Sequence, residues 1–225
     1  MTSLNTEKLE REINERLRSL NPRTVPNTRG LRREYSKRIT TLPPAKVVEL
    51  ACRMLQQPGI FPRWFAYELV QHHRPTAAGL NAKRLESLGR GIDSWGAVDT
   101  FACYLSGPAW REHLVPGSLI TKWARSKDRW WRRAAVVSTV PLNNGARGGS
   151  GDVRRTIRIC QLAVDDRDDM VVKALSWALR ELSKRDPAAV AAFVSENQMR
   201  LAPRVLREVG NKLKTGLKNP KRGAA

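Results

Sequence analysis

Trp95 and Asp99 stand four residues apart in Ser94-Trp95-Gly96-Ala97-Val98-Asp99, a spacing that puts both side chains on one face of a helix. In Lys173-Ala174-Leu175-Ser176-Trp177-Ala178-Leu179-Arg180-Glu181, the side chains of Lys173, Trp177 and Arg180 share a face in the same way. An indole face attracts a cation with about 0.5–2 kcal/mol, more where water is excluded. An ionised carboxylate beside it stabilises positive charge that develops during a reaction. The chain around these residues holds 41 Lys plus Arg against 21 Asp plus Glu, a formal net charge of +20. Tryptophans beside a lone carboxylate, on a body that attracts polyanions, point to chemistry on a cationic group held within nucleic acid.

Each of these residues also has a plainer reading. A Trp on a helix is more often core than ligand-facing. The carboxylate one turn after Trp95 weakens that reading, because a buried Asp needs partners. Trp177 carries the same ambiguity. Lys173 and Arg180 suit phosphate binding, or Arg180 and Glu181 belong to surface ion pairs. Basic residues cluster three times: Arg29, Arg32, Arg33, Lys37 and Arg38 around Glu34; Lys122, Arg125, Lys127, Arg129, Arg132 and Arg133 around Asp128; and Arg154, Arg155 and Arg158. One such cluster is as well explained by a solvated helix face. Three of them at +20 favour phosphate neutralisation with release of counterions, and hence salt-dependent binding.

Several classes of chemistry lack their residues. The chain has three histidines, His72, His73 and His113, and no Cys or His pair at zinc-type spacing. Adjacent His72 and His73 point in different directions on a helix. There is no Gly-x-Ser-x-Gly nucleophile turn and no nucleotide-binding fingerprint. An enzyme built from this chain is expected to work without metal or cofactor. No spanning apolar run, lipid-attachment motif or secretion signal is visible, so no membrane partner is expected. Cys52, Cys103 and Cys160 are odd in number and far apart, which fits buried thiols in a reducing cytoplasm.

The elements that must carry these residues are helical, since the apolar period is close to 3.6 nearly everywhere and almost nothing alternates like a strand. It predicts helices over 6–20, 30–41, 44–56, 62–73, 77–88, 93–106, 117–126, 129–140, 152–164, 168–184, 187–196 and 202–213. Pro43-Pro44, Pro58-Gly59, Pro108, Pro116-Gly117, Pro187 and Pro203 punctuate them. The glycine-rich 141–151 stretch lacks the Gly-Lys-Ser/Thr ending of a phosphate loop and is expected to be a flexible linker. Trp64, Trp95, Trp130 and Trp177 each open or centre a helix, 31, 35 and 47 residues apart, a loose echo of HEAT or armadillo repeats of roughly 40–47 residues. The expected fold is all-α, a curved HEAT-like or armadillo-like solenoid of short antiparallel helices. One repeat domain is expected over 1–213, followed by a basic, disordered tail over 214–225 that holds Lys214, Lys218, Lys221 and Arg222.

Three blocks together match a known family. Asp93-Ser94-Trp95-x-x-Val98-Asp99 comes first; Lys122-Trp123 with Arg129-Trp130-Trp131-Arg132-Arg133-Ala134-Ala135 is the second; Lys173-Ala174-x-x-Trp177-x-Leu179-Arg180-Glu181 comes last. In order and spacing the chain resembles the DNA alkylation-repair glycosylases of the AlkD type, which are built from HEAT-like repeats. The resemblance runs from about Gly30 to Leu213. It implies a monofunctional glycosylase that removes purines alkylated at N3 or N7 and holds duplex DNA on a concave surface without flipping the base into a pocket. It also implies that Trp95 and Trp177 line the cleft and that Asp99 is the catalytic carboxylate. Arg133 and Arg180 would hold phosphates, with Lys173 and Arg132 beside them on the DNA face. The chain departs from the family pattern twice. Pro22-Arg23-Thr24-Val25-Pro26-Asn27 holds no aromatic where active members often carry one, and Gly96 stands where an aromatic or acidic residue often comes after the first Trp.

The leading expectation is therefore a cytoplasmic, nucleoid-associated monomer that excises cationic alkylated purines from duplex DNA. Two other classes stay open. One is a non-enzymatic repeat module that binds nucleic acid through its basic face, and the other is a solenoid that binds acidic protein partners.

Overall fold

The computed structural model describes residues 5–57 and 62–220, and every regular element among them is helical. The chain divides into two compact units, Met1–Gly91 and Ile92–Ala225. Pro58-Gly59, Lys221 and Arg222 lie outside the described residues. No helix among the described residues is long and apolar enough to cross a membrane.

The first unit holds α1 (Thr6–Ser19), α2 (Val25–Arg38), α3 (Pro44–Leu55), α4 (Arg63–His72), α5 (Arg74–Ala78) and α6 (Ala82–Gly89). Its core is the apolar stripe the periodicity predicts, with Leu9, Ile13 and Leu17 of α1 closed off from solvent beside Tyr35, Leu50 and Phe65. α2 starts at Val25, five residues before the expected 30. The Thr24 hydroxyl accepts from the Asn27 amide there, and Pro26 sits in the first turn, where its missing N–H costs nothing. The expected 77–88 helix is two helices, because the chain breaks at Gly79 and restarts on the Asn81 cap.

The second unit holds α7 (Trp95–Phe101), a π-helical turn (Ala102–Ser106), α8 (Gly107–Arg111), α9 (Gly117–Ala124) and α10 (Arg129–Val137). It continues with α11 (Val140–Asn143), a 3₁₀ turn (Gly145–Arg147), α12 (Val153–Gln161), α13 (Asp169–Leu182), α14 (Pro187–Glu196) and α15 (Pro203–Thr215). Here α10 packs on α7 and α13, and α13 on α15, so these four helices form one layer. Behind it, α9 packs on α10 and α12, and α12 on α13. A two-layered stack of successive short helices is the α-helical solenoid arrangement that the pattern predicts.

Local chemistry sets where the layer's helices begin. Asp128 caps α10 by accepting from the Trp130 amide, and Asp168 caps α13 by accepting from the Met170 amide. Buried Ala134–Val137 of α10 and Val171, Ala174, Leu175 and Ala178 of α13 give the two helices small, tightly packing faces. Phe101, Trp123 and Trp131 form an aromatic cluster with ring centroids 4.8–6.0 Å apart, so these two tryptophans belong to the packing.

The 141–151 stretch is not a flexible linker. Pro141, Leu142 and Asn143 are buried, Arg185 donates to the carbonyls of Asn143 (2.8 Å) and Gly149 (2.9 Å), and Arg111 donates to the Arg147 carbonyl. Gly149 is there for close approach, since a Cβ on it would lie 2.4 Å from the Pro141 carbonyl oxygen. The glycines that suggested mobility serve compactness. At the C-terminus, Lys214 lies within α15, Asn211 donates to the Lys218 carbonyl (3.1 Å), and Lys218 Nζ is 3.5 Å from Glu208.

Candidate active site

Asp99 and Trp95 stand one turn apart at the head of the second unit. Trp95 is the first residue of α7 and is 63% exposed, whereas Ala97, Val98 and Phe101 of the same helix are buried. The helix therefore turns its apolar side inward and leaves the indole in solvent. That exposure removes the core reading for Trp95, because an isolated exposed Trp contributes little to packing.

Asp99 is half-buried, and Arg133 of α10 meets it edge to edge. Arg133 Nε donates to Oδ1 (2.9 Å) and Nη2 to Oδ2 (2.8 Å), a bidentate pair. Arg133 is itself buried, and its Nη1 donates to the Met170 carbonyl in the first turn of α13. One guanidinium thus ties α7, α10 and α13 together at the carboxylate. Burial pushes the Asp99 carboxyl above its ordinary value, and the hydrogen bonds and charge of Arg133 only partly offset this. A carboxylate so placed is more basic than a free aspartate, which suits it to accept a proton.

Trp177 lies seven residues after Met170 on α13, two turns along and on the same side of the helix. It is half-buried. Lys173, one turn before it, is half-exposed and pairs with Asp169 (2.6 Å). Arg180 is further enclosed. Its Nε donates to Ser176 Oγ (3.2 Å) and lies 4.0 Å from Glu208 of α15. Burial lowers the Arg180 pKa from its ordinary value, opposed by Glu208 and Glu181.

The structure therefore brings Asp99 and Arg133 into contact and places Trp95 on α7 and Lys173, Trp177 and Arg180 on α13, the two helices that pack against α10 in one layer. Arg132 is held elsewhere. Its Nε donates to Asp166 (2.6 Å), and its Nη1 donates to the Ser126 and Lys127 carbonyls (3.1 and 2.9 Å). Adjacent helical residues diverge, which sends Arg132 to the α9–α10 loop and Arg133 to Asp99. Arg133 had two partners that sequence reasoning did not assign to it, Asp99 and the Met170 carbonyl. Their separation of 34 and 37 residues left no local signal.

Sequence reasoning also missed Glu208. Its buried carboxylate accepts from Ser176 (2.6 Å), with Arg180, Arg204 and Lys218 within 3.5–4.0 Å. Burial pushes this carboxyl up, but the Ser176 hydroxyl and the three cations outweigh burial and hold it below its ordinary value. The thiols of Cys103 and Cys160 are pushed up to about 12 by burial, so neither is a nucleophile at neutral pH.

In the first unit, three of the five basic residues of α2 are paired across helices. Arg29 and Arg32 meet buried Glu68 of α4 at 3.2 and 2.9 Å, and Arg38 meets Glu12 of α1. These three arginines hold the unit together.

No curated protein matches the chain by sequence. A family model described as DNA alkylation repair enzyme matches residues 8–213, which takes in every helix of both units except the first two residues of α1 and the last two of α15. With nearly the whole length matched and the Trp95, Asp99 and Trp177 blocks inside it, this chain belongs to the DNA alkylation repair enzyme family.

Proposed function

We propose that this protein is a monofunctional DNA glycosylase that hydrolyses the N-glycosidic bond of cationic N3- or N7-alkylated purines in duplex DNA. The observation that carries this reading is the Asp99 carboxylate, held by buried Arg133 one turn from a Trp95 indole left 63% exposed. An alkylated purine already carries positive charge, so its bond to C1′ is weak. As the bond breaks, its electron pair leaves with the base, which becomes neutral, and positive charge moves onto the sugar. Asp99 stabilises that charge and accepts a proton from the water that attacks C1′. The Trp95 and Trp177 faces attract the cationic nucleotide. Arg133 positions the carboxylate, while Lys173 and Arg180 supply positive charge for the flanking phosphates. The chemistry needs neither metal nor cofactor, and the single chain supplies all these groups.

A second reading draws on the same pair. Arg133 neutralises Asp99 across two hydrogen bonds, which is also how a structural ion pair would look in a module that binds DNA without cutting it. One experiment separates the two: release of alkylated purine from methylated duplex DNA by wild type and by Asp99→Asn. Release by wild type with loss in the variant supports the glycosylase. No release from either, with DNA binding intact, supports the binding module.

A further inference from the structure

A cleft of about 320 Å³ opens in the second unit between α8, α9 and α12, and shares no residue with the Trp95–Asp99 site. Its walls include Trp110, His113, Gly117, Thr121 and the three arginines of α12, Arg154, Arg155 and Arg158. Arg155 is fixed as the floor. Its Nε donates to Asp152 (2.5 Å), its Nη1 donates to the Trp110 carbonyl (2.6 Å), and its guanidinium lies 5.2 Å from the Trp110 ring centroid. Arg154 and Arg158 differ from it. They stand one turn apart on one face, both exposed, and neither makes an ion pair or hydrogen bond among the described residues. Most other arginines of this unit have a partner, so two unpaired ones at one cleft are unusual.

Two further features of the wall are independent of those charges. Thr121 Oγ1 is buried and has no hydrogen-bond partner among the described residues. A buried hydroxyl left this way costs free energy unless something in the cleft completes it. Gly117, the first residue of α9, also lines the cleft, at a helix N-terminus that has no side-chain cap and carries partial positive charge. The space equals about ten water volumes, taking ~30 Å³ for each. That volume is large enough for a phosphate together with part of what it is attached to.

We propose that this cleft is a second, non-catalytic site for a phosphate group. Arg154 and Arg158 clasp its oxygens, and Thr121 Oγ1 and the amides at the head of α9 donate to it. The group comes either from a small phosphate or phosphomonoester or from the backbone of a nucleic acid strand, and both sources present the same oxygens.

The test is calorimetric titration of the intact protein with inorganic phosphate and, separately, with deoxyadenosine 5′-monophosphate in a buffer free of other oxyanions. Wild type is expected to bind one equivalent. Arg154→Gln/Arg158→Gln should lose at least about tenfold in affinity and Thr121→Val several-fold, at unchanged melting temperature. Lys8→Gln/Arg18→Gln, which removes the same charge from the exposed face of α1, should bind as wild type does. Absence of binding by wild type, or equal losses in the two double variants, overturns the proposal. Duplex DNA titrated into Arg154→Gln/Arg158→Gln identifies the source. A loss of DNA affinity matching the phosphate loss assigns the group to the strand, and unchanged DNA affinity assigns it to a small ligand.

Discussion

Arg133 Nε and Nη2 reach the two oxygens of Asp99 at 2.9 and 2.8 Å, and the third nitrogen of the same guanidinium binds the Met170 carbonyl. The carboxylate expected to do chemistry is therefore held by the residue expected to hold a phosphate. Most of the site's behaviour under mutation and pH derives from this pair.

Asp99→Asn keeps shape and removes charge. Excision should fall by roughly 100- to 1,000-fold, the cost of losing one electrostatic stabiliser. Affinity for undamaged duplex should hold or rise, because one negative charge facing phosphates has gone. Single-turnover release of alkylated purine, beside fluorescence-anisotropy binding, measures both.

The pH profile is set by the sign of the Asp99 shift. Its carboxyl is harder to ionise in the folded protein than in the unfolded chain, so protonation favours the fold and silences the base together. Excision should fall with acid through a midpoint above the ordinary aspartate range. Arg133→Gln removes the two influences that pull the value down, so the acid limb should move to higher pH. Breaking the pair should also cost about 3–5 kcal/mol of stability. A pH–rate series with a thermal melt of each variant checks both.

Trp95→Ala should separate function from stability. With 63% of the residue exposed, its loss should change stability by less than about 0.5 kcal/mol. Excision should fall by on the order of 1–2 kcal/mol if the indole attracts the cationic nucleotide. Trp177→Ala should reduce both, since that side chain is half-buried. Thermal melts and excision rates on one set of preparations make the comparison.

Affinity for duplex DNA should fall by on the order of 10²-fold or more between about 50 and 200 mM salt, with little dependence on sequence. Lys173→Gln should flatten the slope of log affinity against log salt by close to one phosphate's worth. Titrations at four salt concentrations on two unrelated duplexes suffice.

Glu208→Ala should destabilise the second unit by about 3–5 kcal/mol, because Arg180 loses a buried partner. The Glu208 carboxyl lies below its ordinary value, so its contribution is present above the usual glutamate range and fades as pH falls through the lowered one. Chemical denaturation at neutral and acid pH should show the gap between wild type and variant narrowing.

The helices were legible because an apolar period near 3.6 is a local property. Trp95 and Asp99 were legible as a pair because one turn of helix joins them. What was hidden is whatever depends on distant residues. Arg132 and Arg133 are neighbours of the same type, and only the packing of α10 shows that one turns to Asp166 and the other to Asp99. Glycines at 148, 149 and 151 looked like slack because glycine serves both freedom and close approach, and only the carbonyls around Gly149 decide which. The expected start of α2 at 30 came five residues late, because the Thr24 cap and Pro26 in the first turn lie ahead of any apolar period.

The π-helical turn at Ala102–Ser106 lies between the Trp95–Asp99 helix and Gly107, whose added Cβ would sit 2.7 Å from Pro141 Cγ. A π turn holds one residue more than an α turn, so the helix before it is rotated by about 100° relative to the helix after it. The angular setting of Trp95 and Asp99 is thus a matter of residue count. Removing any one residue from that turn would leave every side chain of the site in the chain and swing the indole and carboxylate a quarter-turn away from Arg133. The site's phase is therefore more vulnerable to an insertion or deletion in this turn than to a conservative substitution there.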